Sequence, residues 1–169
     1  MMGKMTVLQT LLFSIPEAVA ITWLACSLMG LKVSWKKVFL IGLLMGAAAH
    51  IIRHFAASYV VNVFFYNAGL VVILTFFQMG DWFKRIIAVI LSTIIYLIIE
   101  FFNIKLLQSI YHSNPAVVLE NTTLQFLWFI PQLVVAFIIV FVIIRYQLSL
   151  FNKPQQLADQ EWNHDQELL

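Results

Sequence analysis

Long apolar runs separated by short polar stretches make up most of the amino-acid sequence. A helix that crosses a bilayer needs about 20 apolar residues, so the pattern predicts five membrane-spanning helices. They cover residues 6–29, 38–52, 59–79, 83–103 and 124–146, and the fourth can continue as an amphipathic helix toward residue 111. The predicted fold class is all-α. Residues 1–146 form a polytopic transmembrane bundle of about five helices, and residues 147–169 form a short, flexible, polar cytoplasmic tail.

Composition supports a membrane protein and argues against several other classes. The chain is 62% hydrophobic and 11% charged, whereas about 25% of the residues in a soluble domain are charged. A net charge of +2 gives no basic surface for nucleic acid, and one cysteine, Cys26, gives no disulfide framework. Five spans use most of the 169 residues, so we expect no catalytic domain, no enzyme activity and no cofactor.

The positions of lysine and arginine predict the orientation of the bundle. Basic residues collect in the cytoplasmic loops of membrane proteins. An outside N-terminus and a cytoplasmic C-terminus place most of them inside, namely Lys32, Lys36, Lys37, Lys84, Arg85, Arg145 and Lys153. The outer side then keeps only Lys4, Arg53 and Lys105. We therefore expect a multi-pass protein of the plasma membrane in this orientation.

Polar residues inside the predicted spans indicate a candidate site. An ionisable residue within a membrane span is by default a functional-site hypothesis, and Glu17 and Glu100 both lie within spans. With a rise of about 1.5 Å per residue, polar groups from every span fall near or outside the membrane midplane. They predict a polar cavity open to the outside, with Glu17 and Gln132 at its floor. The predicted ligand-binding residues are Glu17, Tyr66, Asn67, Tyr96, Glu100 and Gln132.

The second predicted span carries Gly42, Gly46, His50 and His54 at intervals of four residues. Small residues at this spacing allow close approach of another helix, so we expect Gly42 and Gly46 to contact a protein partner or a second copy of the chain. His50 and His54 are weak candidates for metal ligands, because two histidines alone do not make a site. Arg53 stands where a zinc-protease helix carries its catalytic glutamate, which argues against hydrolysis.

Three segments of the sequence resemble a known family: IPEAVAITWLACSLMG, KVSWKK followed by FLIGLLMG, and FIPQLVVAF. They are similar to the membrane-spanning input module of sensor histidine kinases from Gram-positive bacteria, including those of peptide quorum-sensing systems. The resemblance covers residues 6–146, and the sequence contains neither a phospho-acceptor helix nor ATP-binding glycine boxes. It implies a sensor bundle of a bacterial plasma membrane that binds an outside signal and needs a partner protein for output.

The first functional hypothesis is a non-enzymatic membrane receptor or signal-input bundle. An extracellular small molecule or peptide would enter the outward-facing cavity and bias two arrangements of the helices. One alternative is the substrate-binding membrane subunit of an energy-coupling-factor importer. Another is a structural scaffold whose polar groups only hold the helices together. In every case we expect contact with membrane lipid and none with nucleic acid.

Overall fold

Five helices form the part of the chain that the computed structural model describes, which is residues 13–55, 58–111 and 122–151. They are α1 (Ile15–Leu28), α2 (Trp35–Phe55), α3 (Tyr59–Phe76), α4 (Trp82–Tyr111) and α5 (Thr122–Arg145). The predicted all-α class and five helices are confirmed, and α4 includes its amphipathic extension. Residues 6–12 of the first predicted span and residues 152–169 of the tail lie outside the described residues.

The outer surface of the bundle is apolar, whereas polar side chains are buried. Phe64, Phe76 and Phe141 are each about two-thirds exposed or more. The buried polar side chains are Ser14, Thr22, Ser27, Ser92, Thr93 and Gln132. Soluble monomers rarely expose contiguous apolar patches larger than a few hundred Å², and α2 to α5 are long and apolar enough to cross a membrane. The chain is therefore a multi-pass membrane protein.

Consecutive helices run in opposite directions, as expected for helices joined by short connections. Near the end of α1, the backbone carbonyl of Leu28 accepts a hydrogen bond of 3.0 Å from the N–H of Leu150, which follows α5. Cys26 Sγ lies 4.0 Å from Met79 Sδ in the turn after α3. These contacts join three chain segments at one end of the bundle. We call it the basic end because it carries Lys32, Lys36, Lys37, Lys84, Arg85 and Arg145.

The helix at the centre of the bundle is α1. It packs against α2, α4 and α5, whereas α3 packs against α2 and α4. Nine of the 14 residues of α1 are buried, and several of these are small, such as Ala18 and Ala25. A helix that is apolar on all sides is typical of a buried position. Most of the surface of α1 therefore faces protein.

Two glycines allow α2 to cross α1 at short range. A Cβ added at Gly42 would lie 2.8 Å from Val19 Cα, and one added at Gly46 would lie 3.0 Å from Ile15 Cα. Small residues at i and i+4 permit such a backbone approach between membrane helices. The close helix contact predicted from Gly42 and Gly46 is present, but it is made with α1 of the same chain. The surface that the sequence pattern assigns to another protein is thus occupied within the bundle.

We predict that Gly42→Ala lowers the melting temperature of the purified protein in detergent. The added methyl group would meet the backbone of Val19, and overpacking of this kind costs about 1–3 kcal/mol. Thermal unfolding followed by circular dichroism measures the effect. Gly69→Ala is the matched control, since its methyl group would only meet the flexible end of Met45 at 3.4 Å. Equal melting temperatures for the two variants would contradict the close crossing of α1 and α2.

Candidate functional site

A polar cavity lies between α1, α3 and α4, in the half of the bundle opposite the basic end. Its volume is about 120 Å³, which is enough for several water molecules at roughly 30 Å³ each in the liquid. Its described lining residues are Glu17, Ile21, Tyr59, Asn62, Val63, Tyr66, Thr93, Tyr96, Leu97 and Glu100. Two carboxyl groups from different helices therefore face one cavity inside a membrane protein.

Helical spacing explains how these side chains come to share the cavity. The polar lining residues are Glu17 on α1, Tyr59, Asn62 and Tyr66 on α3, and Thr93, Tyr96 and Glu100 on α4. On both α3 and α4 the three polar residues are at positions i, i+3 and i+7, which lie on one face of a helix. Each of the two helices presents one polar stripe, and the stripes meet across the cavity.

Glu17 lies in the first turn of α1, next to Pro16. Residues 13–14 form a π-helical turn, and Ile15 separates this turn from the proline. Proline lacks a backbone N–H and disturbs the preceding helical turn, and π-helical turns are a second common site of helix kinks. The Glu17 side chain is half-buried and lines the cavity. Its location in the cavity wall accounts for an acidic residue within an apolar run.

Two buried polar atoms of the cavity wall have no hydrogen-bond partner among the described residues. They are the hydroxyl oxygen of Tyr96 and Oδ1 of Asn62. Tyr96 is only 2% exposed. Glu17, Glu100 and the Gln132 side chain lie near enough to its hydroxyl to interact with it, but none of them makes a hydrogen bond of normal geometry. An unsatisfied buried polar group costs about 1–3 kcal/mol, so each such group in a native structure needs an explanation. Both atoms belong to residues that line the cavity, so polar groups in its wall are left without a partner among the described residues.

Asn67 and Gln132 adjoin the cavity but do not line it. The Oδ1 atom of Asn67 accepts a 2.6 Å hydrogen bond from Oγ1 of Thr93, and its amide nitrogen donates to the carbonyl of Val63 at 3.0 Å. Gln132 is buried on α5, near the Tyr96 hydroxyl. These two side chains therefore support wall residues. The described lining comes from α1, α3 and α4 and does not include Gln132, so its place at the cavity floor stays a prediction.

The structure brings four of the six predicted ligand-binding residues to the cavity surface: Glu17, Tyr66, Tyr96 and Glu100. The predicted metal candidates stand apart from this group. His50 is half-buried on α2, and the side chain of His54 lies outside the described residues. No cluster of three or more His, Cys, Asp or Glu side chains within the described ranges could hold a metal ion.

Sequence reasoning did not select Tyr59, Asn62 and Thr93 as site residues, although all three line the cavity. Their spacing carried the signal, since Asn62 precedes Tyr66 by four residues and Thr93 precedes Glu100 by seven. A tyrosine at the start of a span is typical of a membrane interface. A threonine within a helix often bonds to its own backbone. These ordinary roles account for Tyr59 and Thr93 without a binding site, so neither residue was predicted to bind a ligand.

Comparison of the chain with protein families, curated proteins and solved structures finds no match. The resemblance to the input module of sensor histidine kinases therefore stays a prediction from the sequence. Function is inferred below from the cavity and from the chemistry of its wall.

We predict opposite effects on stability for two hydroxyl groups of the cavity wall. Tyr96→Phe removes a buried hydroxyl that has no hydrogen-bond partner among the described residues, so the melting temperature should stay the same or rise. Thr93→Val removes the donor to Asn67 and should cost about 1–3 kcal/mol, because a half-buried acceptor loses its bond. Thermal unfolding of both variants in detergent provides the measurement. A loss of stability in Tyr96→Phe as large as in Thr93→Val would show that the Tyr96 hydroxyl is bonded.

Proposed function

We propose that this protein is a non-enzymatic receptor or signal-input bundle of a bacterial plasma membrane, which binds a ligand in the polar cavity. The observation that carries the proposal is the pair of carboxyl groups, from Glu17 and Glu100, that face one cavity inside an apolar bundle. Ionisable groups within membrane spans are costly to keep and usually serve a function. Oδ1 of Asn62, a lining residue, has no hydrogen-bond partner among the described residues, and this supports a binding role over a purely structural one.

The position of Glu17 on the central helix supports a signalling mechanism. A ligand held by Glu17 contacts α1, which packs against three of the other four helices. Ligand contacts that differ between two helix arrangements shift the population between them. A displacement of α1 by the ligand would therefore reach α2, α4 and α5 together, and through them the basic end.

The basic end has the features expected of an inner, output side. Arg85 holds the turn between α3 and α4, since its Nε donates to the carbonyl of Met79 at 2.7 Å and its Nη1 donates to Thr75 Oγ1 at 3.0 Å. Lys84 pairs with Asp81 at 3.1 Å in the same turn. Lysine and arginine favour the cytoplasmic side. With the basic end on that side, the cavity in the opposite half of the bundle faces outward. A partner protein would receive the signal at the basic end.

Transport is the second candidate, as the substrate-binding membrane subunit of an energy-coupling-factor importer. Such a subunit needs a small-residue surface for its ATPase-bearing partners, and Gly42 and Gly46 are already packed against α1. Only Ala47 and Ala48 of the neighbouring small residues keep exposed or half-exposed surface. Solute uptake by vesicles, with and without an ATP-driven module, separates the classes. The receptor predicts binding without accumulation, and a scaffold predicts neither.

Cysteine labelling of intact cells tests the outward-facing cavity. In a Cys26→Ala background, we expect a membrane-impermeant maleimide to label Asn62→Cys and Glu100→Cys, because both positions line the cavity. Lys36→Cys at the basic end should react only after the cells are opened. Ile90→Cys, on the exposed apolar face of α4, is the lipid-facing control and should stay unlabelled. Labelling of position 36 in intact cells, or protection of both cavity positions, would contradict the proposed receptor.

A further inference from the structure

We infer that the polar cavity binds a small organic cation with N–H donors, such as an ammonium or guanidinium group. The inference rests on the proposed ligand-binding function and adds the chemical class of the ligand. It follows from three properties of the cavity wall: the kind of polar atom that the wall presents, the aromatic rings around those atoms, and the size of the cavity.

The polar atoms of the wall are mainly hydrogen-bond acceptors. Oδ1 of Asn62 can only accept, and it has no partner among the described residues. Glu17 and Glu100 each take part in interactions within the chain, but an ionised carboxylate offers about four acceptor positions. Such a wall is complementary to a ligand with several donors. A ligand that carries only acceptors would leave Oδ1 of Asn62 without a partner.

The charge of the wall favours a cation over a neutral donor. The described lining residues include two glutamates and no lysine, arginine or histidine. In a medium of low dielectric constant, two nearby carboxylates repel each other, and a positive charge between them replaces that repulsion with attraction. Hydrogen bonds between a cationic donor and a carboxylate are also roughly twice as strong as neutral ones. The same geometry makes an anionic ligand unfavourable.

Three aromatic rings complete the environment of a cation. Tyr59, Tyr66 and Tyr96 all line the cavity, and the face of a tyrosine ring attracts an ammonium or guanidinium group within about 6 Å. The buried Tyr96 hydroxyl, without a partner in the described part of the chain, adds one donor or acceptor at the same place. An inorganic cation would use the carboxylates and the amide oxygen, but it would not use the aromatic faces to the same extent.

The size of the cavity limits the ligand. A volume of about 120 Å³ equals the share of roughly four water molecules in the liquid. This space admits a cationic group with a few carbon atoms, and it excludes a folded peptide. The cationic group could belong to a free small molecule or to one side chain at the end of a longer ligand.

Ligand binding can be tested with two probes of similar shape and different charge. The full chain in lipid nanodiscs is heated with methylguanidinium chloride, or with neutral N-methylurea and sodium chloride at the same ionic strength. A ligand that binds the folded state raises the melting temperature. We expect methylguanidinium to raise it in a saturable manner and N-methylurea to have no effect. Sodium chloride is a third arm, and it should stabilise much less than methylguanidinium.

Variants locate the binding in the cavity. Glu17→Gln and Glu100→Gln should each raise the methylguanidinium concentration for half of the maximal effect by roughly tenfold or more, because each loses a hydrogen bond to a charged group. Asp81→Asn is the matched control, since that carboxyl group lies in the turn at the basic end. If the glutamine variants do not fold, Tyr96→Phe with Tyr146→Phe as its control serves instead. The expected weakening in Tyr96→Phe is about twofold to tenfold.

The outcomes distinguish this inference from the proposed function. Stabilisation by N-methylurea or sodium equal to that by methylguanidinium would overturn the cationic N–H ligand, and so would no stabilisation by any probe. The outward-facing receptor would then still stand on cysteine labelling of the cavity. An arginine-containing tripeptide that stabilises as well as methylguanidinium would assign the cationic group to a peptide side chain. A tripeptide without effect would assign it to a free small cation.

Discussion

The close crossing of α1 and α2 determines where polar side chains can lie in this bundle. Gly42 and Gly46 allow the backbone of α2 to rest against Val19 and Ile15, which holds α1 in the interior. Hydrocarbon does not solvate polar groups, so a carboxyl group within a span must face protein or water. With α1 in the centre, Glu17 faces the space between α1, α3 and α4. The cavity is thus a consequence of how tightly one side of α1 is packed.

The two sides of α1 differ in their packing and in how completely their polar groups are hydrogen-bonded. On the α2 side, Gly42 and Gly46 bring the two backbones into close contact. On the cavity side, two buried polar atoms have no hydrogen-bond partner in the described part of the chain, and two carboxyl groups share one space. Both features lower the stability of the folded bundle. Polar groups from three helices nevertheless meet at one place in spite of this loss of stability. Their concentration favours ligand binding over helix packing as their role.

The sequence alone predicts the helices and part of the candidate site. Apolar runs locate the five helices because length and hydropathy are the main requirements for a membrane span, and the predicted bounds lie within a few residues of most helices. Glu17, Tyr96 and Glu100 were selected because ionisable or polar groups are rare in spans. Neighbouring helices could not be predicted, since spacing shows which face of a helix is polar and not which helix it meets. Gly42 and Gly46 were assigned to another protein for this reason.

The two ends of the bundle suggest how binding and output are kept apart. At the basic end, Arg85 ties the α3–α4 turn to backbone carbonyls and to Thr75, and the segment after α5 bonds to the end of α1. At the cavity end, α1 and α3 are separated by a polar space with unsatisfied groups. A ligand that satisfies those groups adds contacts at the cavity end. Because α1 extends from the cavity to the basic end, a change in its position is the simplest mechanical link between the two.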